Sequence, residues 1–132
     1  MIRERERAAY ALSQVNGVKE HDKKDKYKTW LVKLPAQLHV NGLGQTVAFY
    51  LSAGSDKPEA RIVAMLEGWL TREGGVYERR GRLIDAITGG SDLEYRRASV
   101  EARALSLWLK RFAEAFIQKP EKKQEPPAEG VA

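Results

Sequence analysis

The stretch from Ser91 to Ile117 reads SDLEYRRASVEARALSLWLKRFAEAFI. Ser91 followed three residues later by Glu94 is a capping-box pattern, which predicts a helix over about residues 92–118. Val100, Ala104, Leu105, Leu107, Trp108, Leu109, Phe112, Phe116 and Ile117 cover most of its circumference. A helix that is apolar most of the way round is expected to be buried on most sides, at the centre of its fold. The polar remainder is narrow. Arg96, Ser99, Arg103, Ser106 and Lys110 recur at steps of three and four and share one side. No acid interrupts that line, and its three cations span about 21 Å.

Working outward from this segment, the rest of the chain reads as helices separated by glycine. Ala8, Leu12, Val15 and Val18 give a helical rhythm over about residues 3–20. Tyr27, Leu31, Leu34 and Leu38 give a second helix over about 24–40, with Pro35 placed to kink or divide it. Asn41-Gly42 is a left-handed stop, and a third helix follows over about 43–53. Asp56, with Pro58 and Glu59 behind it, predicts the cap of a fourth helix whose apolar face is Ile62, Met65, Leu66 and Trp69. A short fifth helix covers about 82–88. No segment sustains a period of two, so the fold class is all-α: a compact bundle of five to six helices around a buried C-terminal helix. Trp30, Trp69 and Trp108 are evenly spaced and each precedes a leucine, but their flanking residues do not match, and no repeat is assigned.

The length of 132 residues fits one domain, expected over 1–117. Residues 118–132, QKPEKKQEPPAEGVA, hold three prolines and balanced lysines and glutamates, and are expected to be a disordered tail. The net charge of +5 therefore belongs to the helical part, which points to a polyanionic or acidic partner. No apolar run approaches a membrane span, and the charged N-terminus does not read as a signal peptide, so a cytoplasmic location is expected.

Enzyme chemistry finds little footing. The chain has no cysteine and two histidines, which excludes disulfides, thiolate metal sites and a three-histidine zinc centre. No cofactor or metal is expected. His21 lies in a charged loop, and neither it nor His39 has a ligand at metal spacing. Asn41-Gly42-Leu43-Gly44-Gln45-Thr46 opens a helix but lacks the third glycine and preceding strand of a dinucleotide cradle, and the Gly-Lys-Ser/Thr of a P-loop. Carboxylate pairs such as Asp22/Asp25 sit among lysines, as solvated ion pairs do. No serine occupies a nucleophile motif.

What remains is positive charge. Beside the Arg96–Lys110 line, Lys26, Thr29 and Lys33 share one side of the second helix, next to Lys23, Lys24 and Lys28, and Arg79, Arg80 and Arg82 form a third cluster. No aromatic residue interrupts the stripes. Any nucleic-acid contact is thus expected at phosphates, without base stacking or sequence preference. The ordinary alternative is a set of wet lysine-rich faces.

Two blocks carry a family resemblance. Lys33-Leu34-Pro35 followed by Asn41-Gly42-Leu43-Gly44-Gln45-Thr46-Val47-Ala48-Phe49-Tyr50-Leu51 is one; Glu94-Tyr95-Arg96-Arg97 leading to Trp108-Leu109-Lys110-Arg111-Phe112-Ala113-Glu114-Ala115 is the other. Over about residues 5–117 the chain resembles the small helical subunit of the type III-B CRISPR effector, the Cmr complex. The resemblance implies a compact α-helical protein without catalytic activity, and no small-molecule substrate is expected. It implies that copies stack head to tail into a filament, beside backbone subunits that hold the guide RNA, along the groove where target RNA pairs, in antiviral defence. It brings no residue-level contact motif. The candidate RNA-contacting residues Lys26, Lys33, Arg96, Arg103, Lys110 and Arg111 therefore rest on charge alone. Two alternatives stay open: a protein–protein scaffold whose cations meet acidic partner surfaces and, less favoured, a helix-turn-helix DNA reader, for which Leu43, Val47 and Leu51 make the third helix too apolar.

Overall fold

The computed structural model describes residues 2–118, and among them the regular structure is entirely helical. The expected tail lies outside the described residues from 119 onward. Six helices follow one another: α1 (Ile2–Asn16), α2 (Lys24–Asn41), α3 (Leu43–Leu51), α4 (Pro58–Leu70), α5 (Leu83–Gly89) and α6 (Asp92–Phe116). The longest, α6, packs chiefly against α1 and α2, with α3 and α4 also touching it. Its buried row is Ala98, Ala102, Leu105, Ser106, Leu109 and Ala113. Small residues on such a row let neighbouring axes approach closely.

The start of α6 is as the sequence predicts. Ser91 Oγ accepts from the Glu94 backbone N–H at 3.1 Å, and Glu94 Oε1 accepts from the Ser91 N–H at 3.0 Å. Its surroundings differ from expectation. Leu93, Val100, Leu107 and Phe116 are exposed, Val100 by 59% and Leu107 by 52%. The helix lies against the bundle through one face and presents a mixed apolar and cationic face to solvent. Apolar content all round the helix overstates its burial, because alanine and serine supply most of the row that meets the bundle.

Two helix boundaries also correct the reading. Asp56 does not cap α4; the N-cap is Lys57, with φ −97° and ψ 158° and no side-chain cap. Pro58 forces its predecessor into the extended region, and that moves the cap one position onto Lys57. Pro35 does not divide α2, which runs through it with Leu31, Leu34 and Leu38 buried on either side. Gly42 joins α2 to α3 at φ +83°, the left-handed conformation that glycine tolerates. Its N–H closes α2 on Leu38 O at 3.0 Å and its carbonyl receives Thr46 N–H at 3.1 Å, while Thr46 Oγ1 donates back to Gln37 O. The Tyr95 hydroxyl, from α6, accepts the Gly44 N–H at 2.9 Å.

On α1 the buried line is Arg7, Ala11 and Val15, followed by Val18 in the turn beyond; Ala8 and Leu12 sit at its edge. The Arg7 guanidinium grips Glu101 of α6 through Nε (3.2 Å) and Nη2 (2.8 Å), and Nη1 donates to Glu4. Trp69 Nε1 donates to Glu101 at 2.9 Å and Trp108 Nε1 to Glu4 at 3.0 Å. Two of the evenly spaced tryptophans thus terminate one polar network. Burial pushes the Glu101 carboxyl up, but hydrogen bonds from Arg7 and Trp69 and the charges of Arg7 and Arg3 outweigh it and hold the group below the usual range.

Candidate nucleic-acid interface

Along α6, Arg96 and Arg103 are exposed, Ser99 and Lys110 are half-buried, and Ser106 is sealed in the core with its hydroxyl turned back to Arg103 O at 2.8 Å. The five-residue line is therefore a flank, not an outward crest, and Ser106 drops out of it. Steps of three and four place residues on one side of a helix; which side meets the bundle is decided by the neighbours. Among the described residues, Arg96, Arg103 and Lys110 make no ion pair and no side-chain hydrogen bond. Arg111 is exposed, with Nη1 3.9 Å from Glu114. A pair this open contributes little and leaves the guanidinium available to another anion.

The third cation cluster is mostly engaged. Arg80 Nη2 lies 2.6 Å from Glu94, already held in the capping box, and Arg82 forms a fork with Asp85 at 2.9 and 3.3 Å. The backbone hydrogen bond from Ser91 and the Arg80 guanidinium together lower the Glu94 pKa. This cluster serves the entry to α6 more than a surface.

On α2, Lys26 and Lys33 are exposed, as expected. Lys28 is not part of a free stripe: its Nζ donates to Ile117 O at 2.9 Å and ties off the end of α6. Thr29 Oγ1 folds back onto Asp25 O. Lys33 reaches a groove shared with Glu114 of α6, lined also by Thr29 and Val32. Lys26 opens onto a different cleft, so the two lysines serve separate recesses.

That second cleft, about 450 Å³, lies between α2 and the start of α4, with Lys23, Lys26, Trp30, Lys57, Pro58 and Glu59 in its walls. It overturns the expectation that no aromatic interrupts the basic stripes. Trp30 stands one helical turn from each of Lys26 and Lys33, and Lys33 Nζ lies 4.9 Å above its ring. The indole is braced edge-on by Tyr50 (centroids 5.4 Å apart) and Phe49 (6.2 Å), and the Tyr50 hydroxyl donates to Trp30 O at 3.1 Å. Sequence reasoning misses Trp30 and Lys57, because the even spacing of the tryptophans draws Trp30 into the question of a repeat and Lys57 arrives from a distant loop. The placement of Trp30 four after Lys26 and three before Lys33 is the signal that could have found it.

Among the described residues no group of three acidic or histidine side chains is arranged to hold a metal ion, and no helix is long and apolar enough to cross a membrane. His21 Nδ1 accepts from the Lys23 backbone N–H at 2.9 Å, and the ring packs edge-on against Tyr27.

Residues 3–116 match the model of the family described as CRISPR-associated protein (Cas_Cmr5). The CRISPR system Cmr subunit Cmr5 of Thermus thermophilus is 30% identical over 111 residues, which cover 84% of this chain and 92% of that protein. The X-ray crystal structure of a CRISPR-associated Cmr5 family protein, also from Thermus thermophilus, superposes with a TM-score of 0.74 at 28% identity, covering 88% of this chain and 98% of that one.

Proposed function

The chain belongs to the Cmr5 family of CRISPR-associated proteins, and from that premise we propose that it is a non-catalytic small subunit of a Cmr complex in the cytoplasm, stacking with further copies of itself beside the guide and target RNA and touching their phosphates in antiviral defence. One observation carries the reading. Arg96, Arg103 and Lys110 follow one side of α6 without an acidic partner among the described residues, over a length of about 21 Å. Cations so arranged suit a polyanion followed along its backbone, and such contacts release counterions without reading bases.

The test is charge reversal in the assembled complex. Arg103→Glu together with Lys110→Glu is expected to weaken target-RNA capture and to lower the logarithmic salt slope by about 0.7 for each phosphate no longer neutralised. Capture unchanged at physiological salt counts against RNA binding by this face.

A second reading has its own support. Leu93, Val100 and Leu107 are exposed on the same helix as the arginines. Apolar positions ringed by arginine also describe a protein interface. On that reading the reversals, and Leu107→Glu, abolish incorporation into the complex, and a pull-down with the other subunits separates the two.

A further inference from the structure

We propose that the cleft between α2 and the start of α4 holds an unpaired nucleotide of single-stranded RNA, its base stacked on Trp30 and its flanking phosphates on Lys23, Lys26 and Lys57. The inference rests on the RNA-facing reading above and extends it from the phosphates to a base.

Three features support it. The walls are formed by three lysines against one acid, Glu59, with a single aromatic residue among them. A volume of about 450 Å³ falls within the range of small-ligand clefts, about 300–1,000 Å³. The platform is also preorganised: the ring is fixed edge-on by Tyr50 and Phe49, and the Tyr50–Trp30 hydrogen bond holds its backbone, so stacking costs little ordering.

The tryptophans contrast with one another. Trp69 and Trp108 donate their indole N–H groups to Glu101 and Glu4. Among the described residues the Trp30 indole N–H has no acceptor. Lys33 lies over the Trp30 ring and does not line the cleft, whose walls include Trp30. A positively charged groove with an aromatic platform is the combination that binds single strands without sequence preference.

The test uses the full chain and a short fluorescein-labelled oligouridylate, which has no duplex structure, at about 50 and about 200 mM salt. Trp30→Leu is expected to weaken binding about tenfold at both concentrations, with the salt slope unchanged. Trp30→Phe should recover most of the affinity but lose the quenching of tryptophan emission seen when wild type binds. Lys26→Glu with Lys57→Glu should lower the salt slope by about 1.4. Thermal melts check folding; if Trp30→Leu does not fold, the phenylalanine and lysine variants decide.

The proposal is overturned if wild type fails to bind the oligouridylate, or if Trp30→Leu binds as tightly as wild type. It is equally overturned if Trp30→Phe leaves the quenching intact. Unchanged RNA binding by the lysine variant, with loss of its incorporation into the complex, would assign the cleft to a protein and end the proposal. The RNA-facing reading itself is decided separately, by the Arg103 and Lys110 reversals in the assembled complex.

Discussion

Arg7 and Glu101, 94 residues apart in sequence, meet as a two-pronged ion pair that pins α1 to the middle of α6. Arg7 is only 8% exposed. Charges so far from water are stable only while every prong is matched, and here Glu4 and Trp69 complete the set.

Removing one partner strands the other. Arg7→Met is expected to destabilise the protein by about 3 kcal/mol, because it leaves a shielded carboxylate with only the looser, half-exposed Arg3, 3.7 Å away, as counter-charge. The double variant Arg7→Met, Glu101→Leu should regain much of that deficit, since an apolar pair of similar volume avoids desolvating charge. Urea unfolding of the two singles and the double gives the coupling.

Acid should reveal the same carboxylate. Glu101 titrates below its ordinary value in the folded chain, so it adds stability that is fully present above about pH 4.3 and is lost as pH falls through the lower folded value. Glu101→Gln lacks this contribution. Relative to it, wild type should lose its advantage progressively below about pH 4.3, and the two urea midpoints should draw together. Midpoints that keep a constant separation down to about pH 3 would show that Glu101 is not held down in the fold.

A close approach between α1 and α4 gives a third expectation. A Cβ added to Gly68 would sit 2.5 Å from the Tyr10 hydroxyl, which itself donates to Met65 O at 2.6 Å. Gly68→Ala removes a flexible residue from a helix, normally a gain of about 1 kcal/mol, yet here it should lower the melting temperature. Tyr10→Phe alone loses one hydrogen bond, and in its background Gly68→Ala should become less harmful, because the colliding oxygen is gone. Thermal melts of the four proteins complete the cycle.

Local signals in the sequence carry the helices and several of their limits. The Ser91/Glu94 box and the Asn41-Gly42 stop are recognisable because capping and left-handed turns are decided within a few residues. Pro58 is legible as a first-turn residue, but its effect falls on Lys57 and not on Asp56. The orientation of α6 is not legible. Ser106 and Arg103 sit three apart on one polar line, yet one is sealed and the other exposed, because α1 and α2 choose the face that is covered. Nothing local marks Arg7 as a shielded charge, since its partner lies across the whole chain. Among the candidate RNA-binding residues, Lys26, Lys33, Arg96 and Arg103 reach the surface as charge patterning suggests. Trp30 escapes because it falls outside the apolar face of Tyr27, Leu31, Leu34 and Leu38, and only packing shows that it is half-buried beside a cleft.

The bond from Gly44 to Tyr95 ties together the two stretches of sequence that carry the family resemblance. The elbow after α2 is latched by a residue from the far end of the chain, and it cannot swing without unhooking from the first turn of α6. That latch stiffens the elbow. In a row of copies stacked as proposed above, a bend in the path would then fall more easily to the seams between them than to this elbow.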